Sequence, residues 1–320
     1  MYFPILNRFF IKKVSIMLIL FLFIFLLIKH TPVVNAGLPC DCLEDRILIL
    51  QNPQMQGEDV ILLQERLKEL GFYQGPLDGI YDIEMARSVA DFQAGEQLEV
   101  DGEVDAMTWD ALGDGVVPAN CDENKEAPAG EISIVINTYK RTLTLYSDGE
   151  VFKTYPCAIG KPSTKSPIGE WAIISKSKDW GGGFGTRWLG LNVPWGIYGI
   201  HGTNKPWSIG RAASHGCIRM YNRDIEELFE WAPLKTRVEI IGERLPVNVN
   251  RPLNSGQMGL SVMQLQDNLN KYGFDSGYRD ARYGPTTEES VKELEAQYGL
   301  RIDGKADWNI LYLLDLPGKE

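Results

Sequence analysis

The chain has 320 residues, 44% apolar and 23% charged, enough to bury the cores of two or three domains of ordinary size. A formal net charge of −11 argues against nucleic acid and other polyanions as partners, because those require clustered Lys and Arg. Five cysteines leave one over after pairing, so an odd thiol has to be accounted for.

At the start, Arg8, Lys12 and Lys13 precede the apolar run from Val14 to Ile28, the pattern of an export signal within residues 1–36. The run is shorter than the roughly 20 residues a membrane-spanning helix needs. Val34-Asn35-Ala36 offers a signal peptidase small residues, so cleavage is expected. Retention as an N-terminal membrane anchor is the alternative, and that anchor is the sole membrane contact expected.

The sequence from Leu67 to Gly102 repeats from Leu269 to Gly304 at an offset of 202 residues, without a gap. Leu70-Gly71-Phe72, Asp78, Tyr81 and Asp101-Gly102 in the first copy correspond to Tyr272-Gly273-Phe274, Asp280, Tyr283 and Asp303-Gly304 in the second. Val60, Leu63, Leu67 and Leu70, matched by Val262, Leu265, Leu269 and Tyr272, have the three- and four-residue spacing of an amphipathic helix. Further helices are predicted over Met85 to Gln93 and Glu288 to Tyr298, with a short third one near Thr108 and Trp308. Each copy thus reads as a three-helix module, at 54–114 and 255–316. The second copy departs from the first at Arg282 and Gly284, which replace Ile80 and Asp82, and its third helix is expected three residues earlier relative to Asp-Gly.

Between the copies the period changes to two. Ile132, Ile134 and Ile136 alternate with other residues, as do Leu143 and Leu145, and Ser147-Asp148-Gly149-Glu150 reads as a hairpin turn. Cys121 to Gly130 and Pro246 to Ser255 read as linkers, leaving a mainly β domain at 131–243.

Apart from His30, the histidines are His201 and His215, both within sixteen residues of Cys217. A thiol is a weak nucleophile until an imidazole takes its proton, and the same imidazole can return that proton to a departing amine. Gly216 lets the backbone approach a substrate closely, so the N–H groups of Gly216 and Cys217 are candidate oxyanion donors. Cys217 as a half-disulfide is the bland alternative. A metal site on His201, His215 and Cys217 would lack a fourth ligand, so no metal and no cofactor are expected.

The segment from His201 through Met220 resembles the signature of L,D-transpeptidases with a YkuD-type catalytic domain. The resemblance extends over Glu131 to Gly242, with Gly160-Lys161 and Ser166-Pro167-Ile168-Gly169, where Ser166 replaces a threonine. The flanking copies resemble three-helix peptidoglycan-binding domains. The resemblance implies an exported enzyme at the cell wall or the outer face of the cytoplasmic membrane, with peptidoglycan stem peptides and glycan as partners. It assigns Cys217 as nucleophile and His201 as proton acceptor and donor, with His215 auxiliary. Arg219, Ser214, Trp195 and Tyr198 are expected to meet the substrate. The reaction it implies is attack on the third residue of a stem tetrapeptide, loss of D-alanine, and transfer of the acyl group to an amine of another stem. Transfer to water would make the protein an L,D-carboxypeptidase instead. A wall-binding protein without catalysis and a cysteine peptidase are the rival readings.

Trp180, Trp188, Trp195, Tyr198 and Trp207 are expected to wall the cleft, with Gly181-Gly182-Gly183 as a loop beside it. Of the remaining cysteines, Cys40 or Cys42 could bridge to Cys121, which leaves Cys157 in need of a partner.

Overall fold

The computed structural model describes residues 46–116, 127–179 and 182–316. The leader, the cysteines at 40, 42 and 121, and Trp180 and Gly181 lie outside the described residues. The N-terminal module comprises β1 (Met55–Gln56), α1 (Glu58–Glu69), β2 (Ile80–Tyr81), α2 (Ile83–Gly95) and α3 (Ala106–Gly113). Val60, Leu63 and Leu67 are fully buried on the inner face of α1, as their spacing predicts. Asp82 and Asp105 cap α2 and α3 by accepting from the amides of Met85 and Thr108. The packed module begins at Leu48, which forms an antiparallel bridge with Val104.

The central domain is one eight-stranded sheet in the order β11-β9-β8-β7-β12-β3-β4-β5. Its strands are β3 (Ile132–Asn137), β4 (Thr142–Ser147), β5 (Glu150–Pro156), β7 (Gly169–Lys178), β8 (Arg187–Leu191), β9 (Tyr198–His201), β11 (Ile218–Arg219) and β12 (Arg237–Ile241). A second, two-stranded sheet pairs β6 (Ile159–Gly160) with β10 (Ala212–Ser214). The 147–150 hairpin turns on Asp148 and Gly149, both at positive φ, as a two-residue turn matched to strand twist demands. Register shifts in the β4–β5 and β7–β8 pairs curl the sheet. Its inward residues, among them Ile134, Ile136, Leu143, Leu145, Val238 and Ile240, form one core closed by α4 (Asn222–Trp231) through Ile225, Leu228 and Phe229. Each such fully buried aliphatic side chain contributes about 1.5–3 kcal/mol.

The C-terminal module repeats the first with α5 (Leu260–Lys271), α6 (Pro285–Gln297) and α7 (Trp308–Leu313). The expected offset of its third helix is corrected here. Asp105 and Asp307 cap α3 and α7 three residues after Gly102 and Gly304, so the two helices start in step. Gly284, standing where Asp82 stands in the first copy, gives α6 no side-chain cap, and Pro285 opens that helix instead. The expected linker 246–255 is partly core: Val249 and Leu253 are buried in the module, and Leu253 bridges Ala306. Met263 and Ala281 enter the core of the central sheet, and Arg279 exchanges backbone and side-chain hydrogen bonds with Glu170 and Glu239.

Candidate active site

Parallel pairing of β9 with β11 sets His201 opposite Arg219. Cys217 lies in the bend just before β11, two residues ahead of Arg219. Cys217 is buried in a small cluster with Phe184 and Trp188. Trp188 is also in register with His201 on the neighbouring strand, and its ring stacks on the imidazole at 5.7 Å. Phe184 meets the imidazole at 4.9 Å between centroids. Contacts of this kind contribute about 0.5–1.5 kcal/mol each, enough to fix a ring that is 2% exposed.

His201 Nδ1 lies 2.5 Å from the Gly202 carbonyl oxygen. A carbonyl only accepts, so Nδ1 carries the hydrogen and the basic lone pair is on Nε2. The strand end bearing His201 is held from two sides. The Met220 amide donates to the His201 carbonyl at 2.8 Å. Asn222 Oδ1 accepts from the amides of Thr186 and Thr203 at 3.3 and 3.1 Å. Gly185 and Gly202 both pack against that same Asn222 oxygen, where a Cβ would collide.

Ser214, His215 and Gly216 form the turn into the nucleophile. Ser214 Oγ donates to the Cys217 carbonyl at 2.5 Å and accepts from the Gly216 amide at 3.1 Å. This corrects two expectations. Ser214 is fully buried and shapes the turn instead of meeting substrate, and the Gly216 N–H is committed to Ser214 instead of standing as an oxyanion donor. Gly216 has φ 119°, and the ring of Tyr198 lies 2.8 Å from where a Cβ would stand. Tyr198 thus backs the turn. Trp195, half-buried, packs edge-on against Trp171 at 5.5 Å beside the sheet core. Trp207 stacks on Trp109 in the core of the N-terminal module. Ser166, in place of the expected threonine, accepts from the Gly160 amide at 2.9 Å.

A cleft of about 490 Å³ opens beside the pair, lined by His201, His215, Arg219 and Lys161 from the central domain and by residues of the N-terminal module. Lys161 Nζ lies 3.4 Å from His215 Nε2 and 3.7 Å from Glu58 Oε2. Burial holds the Lys161 ammonium below the ordinary lysine range, an effect the Glu58 carboxylate only partly offsets. Cys157 is a free, fully buried thiol in the sheet core, where burial pushes it up to about 12. Among the described residues it has no disulfide partner, and a raised pKa keeps it in the weakly nucleophilic thiol form. The sequence reading quoted Lys161 without a role and missed Phe184, Asn222 and Glu58. Asn222 opens a helix and reads as an ordinary helix-start residue, with no signal for its bridging role.

A domain with a thiol and an imidazole in one buried cluster thus stands between two helical modules of one kind. Residues 131–240 match the model of the L,D-transpeptidase catalytic domain, and residues 56–112 and 258–314 each match that of the "Putative peptidoglycan binding domain". The chain belongs to the L,D-transpeptidase family. It is 35% identical over 126 residues to "Putative L,D-transpeptidase YqjB" of Bacillus subtilis, covering 35% of this chain and 72% of that one. It is 50% identical over 107 residues to "Putative L,D-transpeptidase YkuD" of the same organism, covering 33% of this chain. That match spans 64% of the relative's length. A crystal structure of an L,D-transpeptidase from Xylanimonas cellulosilytica aligns at 25% identity and a TM-score of 0.30, over 58% of this chain and 94% of that one.

Proposed function

We propose that this chain is an exported L,D-transpeptidase that builds links between third-position residues of peptidoglycan stems. Cys217 gives its proton to His201 Nε2 and attacks the carbonyl of the third residue of a stem tetrapeptide. The C–N bond to the terminal D-alanine breaks, His201 returns the proton to the departing amine, and a thioester remains. With the Gly216 amide engaged in the turn, the Cys217 N–H is the backbone donor for the developing oxyanion. An amine of a second stem then takes the acyl group. The basic leader and apolar run of residues 14–28 support export. The observation that carries the reading is the pair of rings, Phe184 and Trp188, that contact the His201 imidazole and enclose Cys217 in the same buried cluster.

The test is mass spectrometry of wild type and Cys217→Ala incubated with a disaccharide tetrapeptide and, separately, a carbapenem. A covalent adduct that requires Cys217, together with cross-linked dimer, is the expected result. Adduct with tripeptide as sole product would reassign the protein as an L,D-carboxypeptidase. Neither adduct nor turnover, with binding to isolated cell walls intact, would leave a non-catalytic wall-binding protein.

A further inference from the structure

The cleft beside His201 has two walls of different origin. One belongs to the central sheet and is cationic, with Lys161 and Arg219 flanking His201 and His215. The other is the start of α1 in the N-terminal module, with Arg46, Glu58 and Asp59. Asp59 is occupied by Arg46, whose Nε and Nη2 donate to its carboxylate at 2.7 and 3.0 Å. Glu58 therefore supplies the carboxylate that faces across the cleft. It reaches Lys161 at 3.7 Å, beyond hydrogen-bond length, and its side chain stays 55% exposed at the cleft mouth.

The facing wall is built in. Trp207 of the central domain stacks on Trp109 of the module at 6.2 Å, and Lys205 Nζ sits 4.1 Å above the Trp109 ring. Arg211 pairs with Glu65 and Glu69 on the helix that carries Glu58. The ion pairs are half-exposed and screened by solvent, so the buried tryptophan contact dominates the docking. Glu58 is thereby held across the cleft from Lys161, which itself lies 3.4 Å from the His215 imidazole, two residues before the nucleophile.

Resting on the transpeptidase reading, we propose that the cleft between module and catalytic domain is the acceptor subsite, and that Glu58 binds the ammonium of the incoming stem. An amine acceptor arrives charged, whereas water does not. A carboxylate at the mouth concentrates the former and leaves the latter unaffected, while the cationic wall suits the stem's carboxylates. In the transfer step the bound ammonium gives one proton to His201, and its nitrogen forms the C–N bond with the thioester carbonyl. The C–S bond breaks, the Cys217 thiolate takes the second proton from nitrogen, and His201 sheds its proton to solvent. Glu58 belongs to the module and not to the catalytic domain, so the module decides between cross-linking and hydrolysis.

The experiment uses the full chain with an isotopically labelled disaccharide tetrapeptide as donor, so that its hydrolysis product is told apart by mass, and an unlabelled disaccharide tripeptide, which has no D-alanine to lose, as acceptor. Glu58→Gln is expected to raise the acceptor KM about tenfold and shift product from dimer to hydrolysed tripeptide, with carbapenem adduct formation changing less than twofold. Glu58→Asp should recover part of the acceptor KM. An unchanged acceptor KM and product ratio in Glu58→Gln would overturn the assignment. Equal slowing of adduct formation and transfer would also overturn it, since that is the signature of a residue that merely docks the module. A wild-type protein that releases no D-alanine from the donor would overturn the transpeptidase reading itself, and the role of Glu58 with it.

Discussion

Gly216 carries a backbone constraint and a packing constraint at once. Its φ of 119° is a region that side-chain-bearing residues rarely adopt, and the Tyr198 ring occupies the space a methyl group would need. Gly216→Ala should cost roughly 1–3 kcal/mol locally. Because the displaced backbone carries Cys217, the loss should read out as about a tenfold to hundredfold fall in kcat/KM for D-alanine release. Tyr198→Ala in the same chain should relieve the collision and leave the backbone cost, giving partial recovery; full recovery would show that φ is immaterial. At this scale the sequence was legible where residue types are rare. Two histidines and a cysteine fall within seventeen positions, and in the fold Phe184 and Trp188 touch both His201 and Cys217. Ser214, Trp207 and the Gly216 amide were misassigned for the converse reason. Serines that shape turns and tryptophans that fill cores have the same composition as those that meet ligands.

Within each helical module a buried glutamine holds the turn between the first two helices. Gln64 accepts from the Gly79 amide at 2.9 Å and donates to Asp78 at 2.9 Å. Its counterpart Gln266 accepts from Ala281 at 2.9 Å and donates to Asp280 at 3.1 Å. The duplication thus extends to individual hydrogen bonds. Tyr81 and Tyr283 likewise donate to the carbonyls of Gly102 and Gly304. Gln64→Leu leaves the Gly79 amide without its acceptor, so it should destabilise the N-terminal module by about 1–3 kcal/mol. Urea denaturation of the two proteins measures this directly, and an unchanged midpoint would mean that water replaces the clamp at no cost. Helix positions followed from apolar spacing, which tertiary packing reinforced. The glutamine clamp gave no such signal, because a polar residue on the buried face looks like an interruption of the pattern until its partners are seen together.

The three bodies share side chains across their borders. Met263 and Ala281 of the C-terminal module lie in the core of the central sheet, and Trp207 of the central domain lies in the core of the N-terminal module. Such exchanges have no sequence signature, since periodicity reports that a residue is buried without saying in which core. Trp207→Ala removes a large side chain from that N-terminal core and should cost about 3–5 kcal/mol. Calorimetry of the full chain should show the N-terminal module melting earlier than in wild type; an unchanged trace would place the docking energy elsewhere. Trp207 also stands between His201 and Cys217 in the chain, so the segment joining imidazole to thiol is pinned inside a neighbouring body. A fragment cut at residue 131 would retain every position matched by the catalytic-domain model, yet it would carry Trp207 bared to water and the joining segment slack. The unit that recurs among relatives and the smallest piece that can be handled in a test tube are, for this chain, different lengths of polypeptide.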